Sequence, residues 1–250
     1  MPQAFYDVVQ TSGFYWLMAT IGAAGLIRGF TGFGTALIFV PVAAQFLPLA
    51  QIILVISLIG IGSMISLVPQ AWHQADRSEV GLLALAAAIT TPFGIYLLGQ
   101  IDGLILRWIV AVVVAVTLVA VVSGWRYHGR LGVRGRLAIG GASGIFGGMT
   151  GLTGPVVIVF YLANARDIIK VRANTILFLA ALDVVILANL ALDGPIAAQT
   201  LWLAAFLSLP YLAGIFLGKT AFAPHLERIY RVAAYSVIGL AVLTSLPVFD

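Results

Sequence analysis

Six long apolar stretches follow one another along this 250-residue chain, and its few charges are gathered into short clusters between them. The stretches run from Ile52 to Val68, Val80 to Gly99, Leu104 to Trp125, Ala173 to Leu192, Thr200 to Leu217 and Val232 to Leu246. Each is close to the ~20 residues that carry a helix across a bilayer, and none alternates as a barrel strand would. Charged residues make up 9% of the chain and hydrophobic ones 62%, which leaves too little charge to coat a water-soluble surface. The expected fold class is an all-α polytopic membrane protein. With no cysteine, disulfides, thiolate metal sites and thiol redox chemistry are excluded. Met1 to Asp7 contain no basic n-region, so the first apolar segment reads as mature protein rather than a cleaved signal.

Two Gly/Thr-rich segments interrupt the oily sequence: Arg28-Gly-Phe-Thr-Gly-Phe-Gly-Thr35 and Gly147-Gly-Met-Thr-Gly-Leu-Thr-Gly-Pro155. Irregular backbone survives in hydrocarbon only where protein, water or a solute satisfies its polar groups. Setting Thr31-Gly32 on Thr150-Gly151 gives an offset of 150 − 31 = 119, which also pairs Gly22 with Gly141, Gly25 with Gly144, Gly29 with Gly148 and Gln45 with Asn164. Further on, the segment from Pro92 to Gly99 resembles that from Pro210 to Gly218. The chain thus reads as a first transmembrane repeat (1–125), a basic linker (126–136) and a second repeat (137–250), joined in one membrane domain.

The basic residues set the orientation. Arg126, Arg130, Arg134 and Arg136 share the linker with no acid, which the positive-inside rule makes cytoplasmic. Arg166, Lys170 and Arg172 put the connection after the second break on that side too, so Leu137 to Asn164 is expected to enter and leave by one face. Its arms, Leu137 to Phe146 and Val156 to Asn164, are expected to be ~10 residues each, or ~15 Å as helix, which puts the break near the midplane. Tracing the remaining spans from these points leaves every Lys and Arg cytoplasmic except Arg107, outside, and Arg28, in the membrane. Both termini then lie outside, and the expected architecture is two inverted repeats. Each is a re-entrant or broken helical hairpin plus three transmembrane helices, in an inner membrane.

At each break one helix ends and another begins, so the tips present helix N-termini, which favour anions. Gly29, Gly32, Gly34, Gly151 and Gly154 permit close approach of a solute, and Thr31, Thr35, Thr150 and Thr153 add uncharged donors. The alternative use of these residues is helix packing through small side chains. Arg28, beside the first tip, would cost several kcal/mol unpaired; it either completes an anion site, pairs with Asp183 or caps local carbonyls. Asp183 lies mid-span with Asn174 and Asn189 on the same helix. It is a candidate for proton coupling, or else a buried hydrogen-bonded acid. Pro92 and Pro210 read as hinges or as static packing features. His73, His128 and His225 fall in separate loops, so metal ligation is not expected, and no histidine is placed to activate a nucleophile. No P-loop and no nucleic-acid pattern is present.

The two breaks, the apolar arm, turn and span after each, and the basic linker between halves resemble the sulfite exporter TauE/SafE family of bacterial membrane proteins, over Phe14 to Leu246. Val171-Arg-Ala-Asn-Thr175 is similar to the family's stretch after its second motif, and the resemblance implies a substrate role for Asn174 and Thr175. It also implies secondary transport of sulfur-containing anions such as sulfite or small organosulfonates (taurine-derived products, sulfoacetate, isethionate), without an enzymatic step or cofactor and with coupling to protons or sodium. The expected partners are a small anion and the lipid bilayer. Nothing in the sequence fixes the oligomeric state, and a homodimer is compatible with it. The competing reading is a passive channel for anions or small solutes.

Overall fold

The computed structural model describes residues 8–123, 132–164 and 168–220, together with 235, 236, 238, 239 and 241. The central part of the basic linker, Arg166, the cluster of His225, Arg228 and Arg231, most of the span from Val232 to Leu246 and both termini lie outside the described residues. Every regular element among those described is an α-helix. Helices α1 (Phe14–Thr31) and α2 (Thr35–Ala43) flank the first break and are followed by α3 (Leu49–Gln74), α4 (Arg77–Gln100) and α5 (Gly103–Val122). Helices α6 (Val133–Thr150) and α7 (Gly154–Asn164) flank the second, followed by α8 (Ile168–Leu192) and α9 (Ala198–Thr220).

Five of these, α3, α4, α5, α8 and α9, are long and apolar enough to cross a membrane. Each begins one to five residues before the apolar run that announced it, and α3, α4 and α9 also end beyond theirs. Their outer sides expose Ile65, Ile89, Val116, Val119 and Leu209, a surface suited to lipid tails rather than water. Exposed Tyr15 and Trp16 lie at the start of α1, Trp108 and Trp202 lie in the second turns of α5 and α9, and Trp72 lies near the end of α3 under the Arg77 guanidinium, 5.4 Å from its ring. Aromatic side chains at helix ends suit the interfacial belts of a bilayer.

The packing of the two halves follows one plan. Helix α1 lies along α9, and α6 lies along α4; α3 packs on α9, α8 packs on α4, and α3 and α8 pack on each other. Glycines allow the closest of these approaches. Gly25 and Gly29 face the carbonyls of Tyr211 and Ile215, and Gly144 and Gly148 face those of Ala87 and Thr91, so a methyl group at any of the four would overlap the opposing backbone. Small residues thus provide the helix contact that lipid, as apolar as leucine, cannot drive. Residue numbers rise together along both contacts, so each pair runs parallel. Helices α3 and α8 run antiparallel, with Gly60 against Asp183 and Asp76 against Asn174.

Two expectations need correction. The match of Pro92 with Pro210 is out of register: the glycine contacts equate Ala87 with Tyr211 and Thr91 with Ile215, an offset of 211 − 87 = 124, so Pro210 corresponds to Ala86. The sequence similarity around the prolines followed composition, whereas the glycine faces set the packing. The hairpin arms are also unequal. Helices α1 and α6 have 18 residues each, α2 has 9 and α7 has 11. Helix α6 is ~27 Å long rather than ~15 Å, because Arg134 and Arg136 are already helical and their long side chains let it begin in the polar zone. The arms do return to where they start. The Phe46 ring, just past α2, lies on Gly13 before α1. Arg136 pairs with Glu79 at 3.8 Å, and the Tyr161 phenol of α7 faces the same Glu79.

Asp76 links three helices at one end of the bundle. Its carboxylate accepts from the Glu79 N–H at 3.2 Å, capping α4, and lies 3.3 Å from Lys170 Nζ at the start of α8, while its own N–H donates to Asn174 Oδ1 at 2.7 Å. The Glu79 amide, aided by Lys170 and opposed by partial burial, holds the carboxyl below its ordinary 3.8. A depressed folded-state pKa contributes stability above the unfolded value and loses it as pH falls. Asp76→Ala should therefore cost about 1 kcal/mol at neutral pH, and the gap between variant and parent in thermal unfolding should shrink as pH falls below 3.8.

Candidate functional site

The two breaks share a set of hydrogen bonds at matched positions. Helices α1 and α6 end on glycines in the left-handed region, Gly32 at φ 85° and Gly151 at φ 74°, where a side chain would be strained. The Gly32 N–H donates to the Arg28 carbonyl at 2.8 Å and the Gly151 N–H to the Gly147 carbonyl at 2.9 Å. The Thr31 hydroxyl donates to the Ile27 carbonyl and accepts from the Phe33 N–H, at 2.8 and 3.2 Å. Thr150 does the same with Phe146 and Leu152, at 2.7 and 3.3 Å. Every partner pair is 119 apart. These threonines and glycines satisfy the broken backbone themselves, which is what an interruption in hydrocarbon demands.

The next residues face each other. Arg28, Gly34 and Thr35 from the first hairpin and Thr153, Gly154 and Pro155 from the second line one cavity, closed by Ile56 of α3 and by Leu179 and Asp183 of α8. The first residue of α2 (Thr35) and that of α7 (Gly154) both line it, so two helix N-termini meet at one place. Pro155 suits the first turn of α7, where no N–H is needed for the ladder. The space is narrow, with room for about one water molecule.

Its charge comes from two side chains. Arg28 Nη2 lies 3.5 Å from Asp183 Oδ2, and both residues are about 95% buried. Of the three roles open to Arg28, this geometry shows the ion pair. The pair is long for a charge-assisted hydrogen bond, whose ordinary span is about 2.7–2.9 Å, and Arg28 Nε and Asp183 Oδ2 have no hydrogen-bond partner. Gly60 of α3 makes room for the carboxylate, since a β-carbon there would lie 2.5 Å from Oδ2.

Three contributors escaped the sequence reading. Arg172, taken from the charge pattern as a topology determinant, reaches back from α8: its Nε donates to the Phe30 carbonyl at 3.0 Å and its Nη2 to the Gly29 carbonyl at 2.7 Å, capping the end of α1. Carbonyl capping thus falls to Arg172. Tyr211 is fully buried, and its hydroxyl lies 3.0 Å from Thr35 Oγ1; a phenol in mid-span was the available signal. Gly60 carried no signal, because its role is to lack a side chain beside Asp183.

Of the other expected site residues, Gly29, Thr31, Gly32, Thr150 and Gly151 build the turns and do not line the cavity. Asn174 and Thr175 lie elsewhere, Asn174 accepting from the Asp76 N–H and Thr175 donating to the Val171 carbonyl at 2.8 Å. Among the cavity's lining, the Arg28 guanidinium, Thr35, Thr153 and the two helix N-termini suit an oxyanion, and the Asp183 carboxylate opposes one.

A family model described as Sulfite exporter TauE/SafE matches residues 17–245. No curated protein and no solved structure gives a significant match.

The fit of Gly60 to the ion pair yields a direct check. Gly60→Ala should push the Asp183 carboxylate from Arg28 and lower stability by about 1–3 kcal/mol, read as a drop of several degrees in the detergent-solubilised melting temperature. Gly62→Ala, whose methyl would meet only Leu212 at 3.6 Å, should melt with the parent. Equal melting of both variants would contradict the tight fit at Asp183.

Proposed function

The chain belongs to the TauE/SafE sulfite exporter family, a family of membrane transporters rather than enzymes, whose model spans nearly all of it. From that premise we propose that it is a secondary transporter of small sulfur-containing anions, sulfite or an organosulfonate, across the bacterial inner membrane. One observation carries this reading: tips from both halves of the chain line one buried cavity with Arg28 and Asp183.

An anion there would sit on the Arg28 fork, take hydroxyl donors from Thr35 and Thr153, and face the N-termini of α2 and α7. Gly34 and Gly154 would let it approach the backbone. The glycine and threonine turns behind, Gly29 to Gly32 and Thr150 to Gly151, would keep the tips rigid. Asn174 and Thr175 would act at the end of the path rather than at its centre. Asp183, the acid beside Arg28, would carry a coupling proton. The antiparallel crossing of α3 and α8, with the mirrored pairs α1–α9 and α6–α4, supports inverted repeats related by an axis in the membrane plane, with both termini periplasmic. Rocking of one half against the other around a shared central site would then expose it to each side in turn.

The test is counterflow. Proteoliposomes loaded with unlabelled sulfite should transiently accumulate labelled sulfite against its gradient, and Thr153→Val should raise the half-saturating concentration about tenfold by removing one hydroxyl donor. Flux linear in concentration with no counterflow would favour a channel, and no flux of sulfite, isethionate or sulfoacetate would overturn the reading.

A further inference from the structure

The charge around the cavity can be summed element by element. Helix α1 brings Arg28, and α8 brings Asp183; Arg172 of α8 is engaged with the Gly29 and Phe30 carbonyls. Helix α2 brings the neutral Thr35, and the turn before α7 brings the neutral Thr153. Helix α3 brings Gly60 and Ser63, whose hydroxyl donates to the Gly60 carbonyl at 2.6 Å, and α9 brings the Tyr211 phenol, held by Thr35. The cavity walls therefore carry one positive and one negative side chain and no net charge. An anion entering such a site meets a guanidinium whose counter-charge is already present.

The pair is not a finished staple. A structural Arg–carboxylate pair in a low-dielectric setting ordinarily closes as a fork with two short bonds. Here the closest approach is 3.5 Å, and Arg28 Nε and Asp183 Oδ2 make no hydrogen bond. The guanidinium keeps donor capacity, and neither Thr35 nor Thr153, which line the same cavity, is bonded to Arg28 or Asp183. An oxyanion with three oxygens could use the fork and both hydroxyls at once. The space holds about one water, however, so such an anion and the Asp183 carboxylate cannot occupy the guanidinium together.

Resting on the anion-cradle reading above, we infer that the Asp183 carboxylate is the resident occupant of the anion seat on Arg28, and that an incoming anion displaces it only as Asp183 takes up a proton. A displaced carboxylate left charged in hydrocarbon would cost several kcal/mol; a protonated one would not. The exchange balances: Arg28⁺ paired with the carboxylate, plus one monoanion and one proton, gives Arg28⁺ paired with the anion beside a neutral carboxylic acid. Net charge in the site is zero before and after. The substrate class that fits is a monoanion, hydrogensulfite or an organosulfonate. A dianion such as sulfate would leave one uncompensated negative charge.

Isethionate tests this cleanly, because its sulfonate stays a monoanion between pH 5.5 and 8.5. Calorimetric titration of the purified full chain should show a dissociation constant that rises toward tenfold per pH unit over the range where Asp183 is ionised, with one proton taken up per isethionate in weak buffer. Asp183→Asn should bind more tightly than the parent at pH 8.5, with no pH slope and no proton uptake. Asp183→Glu should keep both. An Asp183→Asn variant that binds more weakly or keeps the slope would overturn the exchange while leaving the cradle standing, provided that Arg28→Gln loses affinity at least tenfold. Parent affinity unchanged by Arg28→Gln, or no binding of isethionate, would overturn the cradle as well. If Asp183→Asn does not fold, the proton count of the parent decides, and isethionate binding without proton uptake contradicts the inference.

Discussion

A guanidinium and a carboxylate held 3.5 Å apart, both buried, set the terms for the rest of this molecule. Neither charge is tolerable alone at that depth, and separating a buried pair ordinarily costs about 3–5 kcal/mol. The surroundings are arranged around that fact. Gly60 gives up its side chain to seat Asp183, and Arg172 takes over the carbonyls at the end of α1, which leaves Arg28 for the pair. The tips of both hairpins then meet at the same place.

The two breaks are alike in backbone but not in charge. The turns at Thr31-Gly32 and Thr150-Gly151 share their hydrogen bonds, and Gly32 packs on Arg172 as Gly151 packs on Ile53, again 119 apart. The counterparts of Arg28, Arg172 and Asp183 at that offset are Gly147, Ile53 and Met64. Each charge therefore stands in one half where the other has a glycine or an apolar side chain, Arg28 in the first half and Arg172 and Asp183 in the second. Such a division fits a carrier that needs two similar halves to move and one chemical site to move around.

The spans were legible in the sequence because hydrocarbon imposes a length on apolar runs, and α3, α4, α5, α8 and α9 fall where those runs lie. The two breaks were legible for a related reason, since Gly and Thr in oily sequence mark backbone that needs special handling. What could not be read was long-range fit. Arm length failed because Arg134 and Arg136 count as loop when charges are tallied, though they are helical. The register of Pro92 with Pro210 failed because the packing follows the glycine faces of α1 and α6. At the site, Thr35, Thr153, Arg28 and Asp183 were named from their residue types and depth, but their convergence depends on how α3 crosses α8. Tyr211 joins them by packing alone, and Asn174 leaves them through a hydrogen bond to a turn 98 residues away.

The central claim is that the seat on Arg28 between the two tips holds the transported anion. A structure of the protein with bound selenite, whose selenium marks its own position by anomalous scattering, tests that most directly. The account predicts a single strong peak within hydrogen-bond reach of the Arg28 guanidinium, Thr35 and Thr153, with the Asp183 carboxylate turned away. Selenium located elsewhere, or the Arg28–Asp183 pair intact beside a bound anion, would contradict it.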